Sequence, residues 1–188
     1  MAIHTKRAIM RTFQQMLEEM PFDKITVSAL VRRCEISSNT FYYHYQDIYQ
    51  LLDLWISNEL GRFVPGEDSE FTDWKLATKA LMRDCREHSR IIYHIFNSIS
   101  RDRLERYVFT LTDDAFFQVV RRIAGDQLAE ETALEIAAFC RYAYIGFFMQ
   151  FLWNRMQSDI DESVDRLGVL FDGFVESAVA RSTKDADR

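Results

Sequence analysis

The stretch TVSALVRRCEISSNTFYYHY, residues 26–45, contains the pattern that decides the fold of this chain. Its first residue, Thr26, offers a side-chain oxygen to the start of a short helix that ends near Cys34. After a three-residue link, Ser37 can cap a second short helix over residues 38–45 in the same way. The second helix has an apolar face and a polar face. The stretch therefore predicts a helix-turn-helix.

Helical periodicity continues on both sides of this stretch. Apolar residues recur at helical spacing over residues 5–20 and again over residues 47–63, which predicts one helix before the pair and one after it. A proline-glycine pair then breaks the pattern. We therefore expect an N-terminal domain over residues 1–63 and a second helical domain over residues 64–188.

The second domain is predicted to be helical throughout. Six glycines and two prolines in 188 residues leave few points at which a helix can end. Five further helices are expected near residues 71–88, 90–98, 101–124, 129–157 and 161–182. The last helix has an apolar seam near heptad spacing, suited to a partner helix, at Val164, Leu167, Phe171, Phe174 and Ala178. The predicted fold class is all-α, with about nine helices.

Sequence patterns for catalysis or metal binding are absent. The chain has no HExxH, GxSxG or CxxC pattern and no glycine-rich phosphate loop. His88 and His94 are six residues apart, which places them on different faces of a helix, so we interpret them as structural. We therefore expect no enzyme, no metal site and no cofactor.

The cysteines and the apolar segments predict a cytoplasmic protein. Three cysteines far apart in helical patterns are not a disulfide framework, which fits a reducing compartment. Residues 1–10 lack the apolar core of a signal peptide. The apolar run 136–153 contains Arg141 and barely reaches the length of a bilayer span, so we interpret it as a buried helix and expect no membrane partner.

Charge is distributed unevenly along the chain. Residues 1–45 contain six basic and four acidic residues, whereas the remainder contains 17 basic and 25 acidic residues. The formal net charge of −6 does not suit bulk electrostatic binding of nucleic acid. The N-terminal quarter is therefore the part that we expect to face phosphates.

The order of residues in the stretch 26–45, followed by Leu51, resembles the signature of the TetR family of transcriptional regulators. The resemblance implies a three-helix DNA-binding head, a linking fourth helix and a helical domain for ligand binding and dimerisation. It also implies three partners: double-stranded operator DNA, a second copy of the chain and a small-molecule effector. The run FYYHY at 41–45, preceded by FDKIT at 22–26, is similar to the branch that includes regulators of dihydroxyacetone kinase operons.

Candidate DNA contacts lie mainly on the second short helix. Short polar side chains crowd its start, where they and free backbone amides can meet phosphates or base edges, at Ser37, Ser38, Asn39 and Thr40. The resemblance adds family contact positions that correspond here to Lys6, Thr26, Tyr42, Tyr43 and His44, and it includes Ser38 and Thr40 again. Phe41 and Tyr45 are expected in the core.

Two residues depart from the family pattern. Glu35 stands in the turn where the family usually has glycine, so it must adopt a left-handed conformation or the turn must differ. Ile48 stands where the family usually has lysine at the start of the fourth helix, which removes one phosphate contact. Affinity is then expected to depend more on Arg32, Arg33, Lys24 or the N-terminal arm.

Aromatic residues are frequent in the second domain. They are first of all a core, and an apolar cleft among them would suit a small ligand. The candidate ligand-binding residues are Tyr93, His94, Asn97, Thr112, Phe116, Cys140, Tyr144, Phe147, Phe148 and Phe151.

The sequence thus predicts a homodimeric repressor that binds a palindromic operator and is released by an effector. The last two helices are expected to form a four-helix interface with their symmetry mates. One alternative is an activator or co-activator with the same DNA head and a protein partner. The other is a helical enzyme or ligand-binding protein that does not bind DNA.

Overall fold

The computed structural model describes residues 2–63 and 73–186. Within these residues it contains two 3-10 turns, Phe22–Lys24 and Gly125–Gln127, and no strand. Ten α-helices make up the rest of its regular structure: α1 (Ala2–Glu19), α2 (Val27–Arg33), α3 (Ser38–His44), α4 (Ile48–Gly61), α5 (Trp74–Glu87), α6 (Ser89–Phe96), α7 (Arg101–Leu111), α8 (Asp113–Ala124), α9 (Glu130–Trp153) and α10 (Ile160–Ala186). The predicted all-α class is confirmed.

The prediction of a single helix over residues 101–124 is wrong, because the chain forms two helices there, α7 and α8. The break lies at Thr112, which has φ −106° and ψ 6°. The Thr112 hydroxyl donates to the Val108 carbonyl oxygen at 2.7 Å, and such a side-chain bond competes with the regular helix. This break raises the number of described helices from the expected nine to ten.

One compact unit consists of Met1–Glu59 and Glu87–Tyr107. Its largest fully buried side chains are Ile9, Phe13, Leu17, Phe22, Leu30, Phe41, Leu51 and Leu52. Helix α6 belongs to this unit: His94 Nδ1 lies 2.6 Å from the Leu17 carbonyl oxygen on α1. Packing therefore groups residues 87–107 with the N-terminal part, across the domain boundary expected after residue 63. A functional division at that residue stays a prediction.

The other compact unit consists of Leu60–Arg86 and Val108–Arg188. Ion pairs join α5 to α10, with Lys79 Nζ 2.7 Å from Asp165 and Arg83 2.7 Å from Asp161. Beneath these pairs lies an apolar core whose members include Met82, Val120, Tyr144, Met149, Val164 and Phe171. The unit is therefore a helical bundle with a polar seam along the α5 and α10 contact.

Helix α9 is apolar almost all round. Among the described residues it is the helix that is long and apolar enough to cross a membrane, judged by length and composition. Half of its apolar window is buried inside the protein, as in the core helix of a soluble protein. The helix is therefore only weak evidence for a membrane.

Candidate nucleic-acid interface and cavity

Both predicted helix caps are present in the helix-turn-helix. The Thr26 hydroxyl accepts from the Ala29 amide at 3.2 Å and begins α2. The Ser37 hydroxyl accepts from the Thr40 amide at 3.1 Å and begins α3. Each cap satisfies an amide that has no partner inside its own helix.

The turn between α2 and α3 contains a left-handed residue. Glu35 has φ 56°, so it adopts the conformation that the family's glycine would adopt. The chain closes the end of α2 through a bond from the Ile36 amide to the Val31 carbonyl oxygen at 3.0 Å. The departure at Glu35 thus leaves the turn geometry in place and adds backbone strain.

Helix α3 has one buried face and one exposed face. Phe41 and Tyr45 are buried, as predicted, and burial raises the pKa of the Tyr45 phenol. Ser38, Asn39, Tyr42 and Tyr43 are exposed; Tyr42 is 56% and Tyr43 81% exposed. Such exposure is unusual for tyrosine, and it makes this face a candidate contact surface.

The remaining predicted DNA-contacting residues occupy varied positions. Lys6 is exposed on α1, and Thr26 is exposed but occupied as a cap. The hydroxyls of Ser37 and Thr40 lie 2.8 Å apart, so each is the other's partner. His44 is half-buried, with its ring 5.0 Å from the Tyr43 ring. Helix α3 therefore brings together seven of the nine predicted positions, from the Ser37 cap to His44.

Ile48 removes a family lysine, and three basic side chains of the N-terminal part are expected to take over its phosphate contact. Two of the three form ion pairs with carboxylates. Arg33 binds Glu19 through two bonds of 2.5 Å, and this pairing lowers the pKa of the Glu19 carboxyl. Lys24 lies 3.3 Å from Asp23. Arg32 is exposed on the last turn of α2, which leaves it the most available of the three for a phosphate.

The start of α4 is capped by the chain itself. Asp47 accepts from the Gln50 amide at 2.7 Å, and the Gln50 side chain accepts from the Gln46 amide at 2.7 Å. This arrangement resembles a capping box, except that the Gln50 side chain bonds to the amide of Gln46, one residue before the cap, and not to that of Asp47. Ile48 is half-buried beside it and adds no charge, so this helix start has little to offer a phosphate.

The unit that contains α5, α8 and α9 has a partly open cavity of about 60 Å³. Its walls are apolar or hydroxyl-bearing side chains: Leu60, Phe63, Trp74, Ala77, Thr78, Leu81, Val108, Thr112, Ala115, Phe116, Tyr144 and Phe148. Thr112, Phe116, Tyr144 and Phe148 were predicted as ligand-binding residues from the sequence. The α5 contribution was missed, although Trp74, Ala77, Thr78 and Leu81 follow the helical spacing that marks one face.

The chemistry of the cavity is that of a neutral pocket. The Thr78 hydroxyl donates to the Tyr144 phenolic oxygen at 3.3 Å, and both side chains are buried. Burial raises the pKa of Tyr144 to about 12, so its phenol is protonated at neutral pH. The lining residues that the structure describes include no lysine, arginine, aspartate or glutamate. A bound molecule would meet aromatic rings and a hydroxyl pair.

The other predicted ligand-binding residues do not line this cavity. Tyr93, His94 and Asn97 belong to the N-terminal unit, and His94 is engaged with α1. Phe147 and Phe151 line a more open depression of about 340 Å³ on α9 and α10. Burial raises the pKa of the Cys140 thiol to about 11, which makes the thiol unreactive.

An apolar surface lies on the outer faces of α9 and α10. Four of its large side chains are exposed over more than half of their area: Phe139, Tyr142, Trp153 and Leu170. The Phe139 ring stacks on the Phe174 ring of α10 at 4.7 Å. By contrast, Val164 and Phe171 of the predicted seam are buried within the chain itself. The partner-facing seam expected on α10 is therefore corrected at these two positions, because they pack inside the bundle.

Comparisons with known proteins identify the family. Residues 72–173, more than half of the chain, match a TetR-type family model described as "Transcriptional regulator C-terminal region". No curated protein matches the sequence.

A solved structure shares the fold. The dihydroxyacetone kinase operon activator DhaS is similar over 93% of this chain and 97% of its own, with a TM-score of 0.68 and 15% identity. A TetR variant from Acinetobacter baumannii AYE in complex with minocycline is matched over 94% of both chains, with 17% identity and a TM-score of 0.45, too low to support any argument. The match to the family model shows that the chain belongs to the TetR family of transcriptional regulators.

Proposed function

We propose that this regulator is a cytoplasmic, non-enzymatic repressor that binds a palindromic operator as a homodimer and leaves it when a small-molecule effector binds. One observation carries the proposal: a family member presents a capped helix-turn-helix whose second helix exposes polar and aromatic side chains. In this motif the second helix lies in the major groove and the first crosses the DNA backbone.

The DNA contacts divide by chemistry. Ser38, Asn39, Tyr42 and Tyr43 on the exposed face of α3 are proposed to meet base edges. Lys6 and Arg32 are proposed to bind phosphates, because both are exposed cations in the N-terminal unit. Thr26, Ser37, Thr40 and His44 are proposed to approach the backbone at the ends of the two helices.

The dimer is proposed to form through α9 and α10. Their outer faces expose Phe139, Tyr142, Trp153 and Leu170, an apolar surface that a monomer would leave in water. Packing each surface against its symmetry mate would give a four-helix interface with a two-fold axis. Two-fold symmetry of the recognition helices then requires a palindromic operator.

The effector is proposed to be a small, uncharged molecule held by the cavity beside Tyr144. The described part of the lining supports this, because none of its side chains offers a charge that would compensate a charged ligand for its lost hydration. An effector that binds the operator-incompetent conformation more tightly would shift the population away from DNA.

Activation is the second candidate function. The fold likeness to a protein named as an operon activator favours it. A reporter gene driven by the regulated promoter separates the two, since deletion of the regulator raises expression for a repressor and lowers it for an activator.

Fluorescence anisotropy tests DNA binding directly. The purified protein is titrated with its own upstream intergenic DNA at two salt concentrations, beside Arg32→Ala and the control Arg90→Ala, which removes an exposed arginine of α6. We expect specific binding, and in Arg32→Ala a smaller slope of log affinity against log salt, by about 2 for one lost contact per subunit. Equally weak binding of the wild type to any duplex would show that the proposal is wrong.

A further inference from the structure

Helix α3 carries no arginine, lysine or carboxylate. Its sequence reads SNTFYYH. Bidentate contact from arginine or lysine to the O6 and N7 atoms of guanine is the commonest specific contact in the major groove. Helix α3 therefore lacks the side chains that most often recognise guanine.

Neighbouring cations do not replace them. Arg33 is held by two bonds to Glu19, and Lys24 lies beside Asp23. Arg32 is exposed, but it lies on α2, the helix that crosses the DNA backbone in this motif. These positions suit phosphates rather than base edges.

The polar groups left for base contact are few. The Ser37 and Thr40 hydroxyls lie 2.8 Å apart, and Ser37 also caps the helix. Asn39 is exposed, and its amide carries the donor and acceptor that match N7 and N6 of adenine. The Tyr43 ring is 81% exposed and lies edge-to-face against His44 at 5.0 Å. Its apolar surface suits the methyl group that thymine presents in the same groove.

We infer that α3 reads A·T pairs in each half-site, with Asn39 bound to an adenine and the Tyr43 ring packed on the 5-methyl group of a thymine. This specificity rests on the proposed operator binding. Of the four residues proposed to meet base edges, Asn39 and Tyr43 are thus the two to which the inference assigns particular bases.

Selection from a random duplex pool followed by thymine-to-deoxyuracil replacement tests the inference. Deoxyuracil lacks only the methyl group and keeps the hydrogen bonds of thymine. We expect an enriched palindrome with A·T pairs at the centre of each half-site. Burying one methyl-sized group contributes about 0.8 kcal/mol to binding. Replacing the contacted thymine by deoxyuracil should therefore weaken wild-type binding about fourfold when one half-site is changed and about 15-fold when both are changed.

Matched variants assign the effect to the two side chains. Tyr43→Phe is expected to keep the thymine-to-uracil ratio, whereas Tyr43→Ala brings it to about one. In parallel, 7-deazaadenine, which lacks N7, should weaken the wild type and leave Asn39→Ala unchanged. Circular dichroism confirms folding, which these exposed positions should not disturb.

Each outcome has a distinct meaning. If no sequence is enriched, operator binding itself fails. If the enriched half-site has G·C pairs under α3, or if uracil binds as well as thymine, the A·T inference is overturned while DNA binding stands.

Discussion

Replacing Glu35 by glycine is expected to stabilise the protein. Glu35 has φ 56°, a conformation that costs a residue with a Cβ atom roughly 1–2 kcal/mol. Glycine removes that cost but loses about 0.5–1 kcal/mol of additional chain entropy on folding. The net gain in the free energy of unfolding is therefore about 0–1.5 kcal/mol, and the midpoints of the two ranges place it at about 0.75 kcal/mol. Urea denaturation measures this gain as a higher midpoint at an unchanged slope.

Glu35→Ala is the matched control. It removes the same charge and keeps the Cβ atom, so the free energy of unfolding of the glycine variant should exceed that of the alanine variant by about 1 kcal/mol. Inside helix α5 alanine should be more stable than glycine, so Ala80→Gly should lower the free energy of unfolding by about 1 kcal/mol. If the glycine variant at position 35 is no more stable than the alanine variant, the left-handed turn is not strained and the reasoning fails.

Three further predictions concern other parts of the chain. If the proposed dimer forms through α9 and α10, Phe139→Glu should give a monomer in sedimentation experiments, because it places a charge in the apolar surface. Leu76→Glu, an equally exposed control on α5, should leave the oligomeric state unchanged. Burial raises the pKa of Tyr144 to about 12, so as the pH rises the unfolded chain loses the phenol proton before the folded protein does. The free energy of unfolding should therefore fall between pH 10 and 12, and it should fall less steeply in Tyr144→Phe. Tyr107→Phe removes a phenol that donates to Asp53, and it should lower the urea-unfolding free energy by about 1 kcal/mol; an unchanged value would mean that this bond adds nothing.

The local features of the helix-turn-helix were predictable because they depend on neighbours in sequence. Thr26 and Ser37 cap the amides three residues ahead, and Phe41 and Tyr45 lie one turn apart on the buried face. The left-handed conformation at Glu35 was one of two options that the sequence left open. The structure selects it through the Ile36 amide, which bonds back to α2.

Tertiary contacts explain what the sequence did not predict. His94 was a candidate ligand-binding residue, but its ring bonds to a backbone oxygen of Leu17, 77 residues away. The break at Thr112 was not predictable from residue type, because threonine makes the same hydroxyl bond to a carbonyl oxygen inside continuous helices. Thr78 was missed because its pairing with Tyr144 requires the packing of α5 on α9.

Footprinting of the selected operator tests the central claim most directly. Two recognition helices related by a two-fold axis should protect two major-groove segments whose centres are about 34–36 Å, or a multiple of one helical turn, apart. The protected segments should be symmetric about the palindrome centre, and Tyr43→Ala should weaken both together. A single protected segment, or uniform protection without register, would contradict a homodimer that reads DNA through α3.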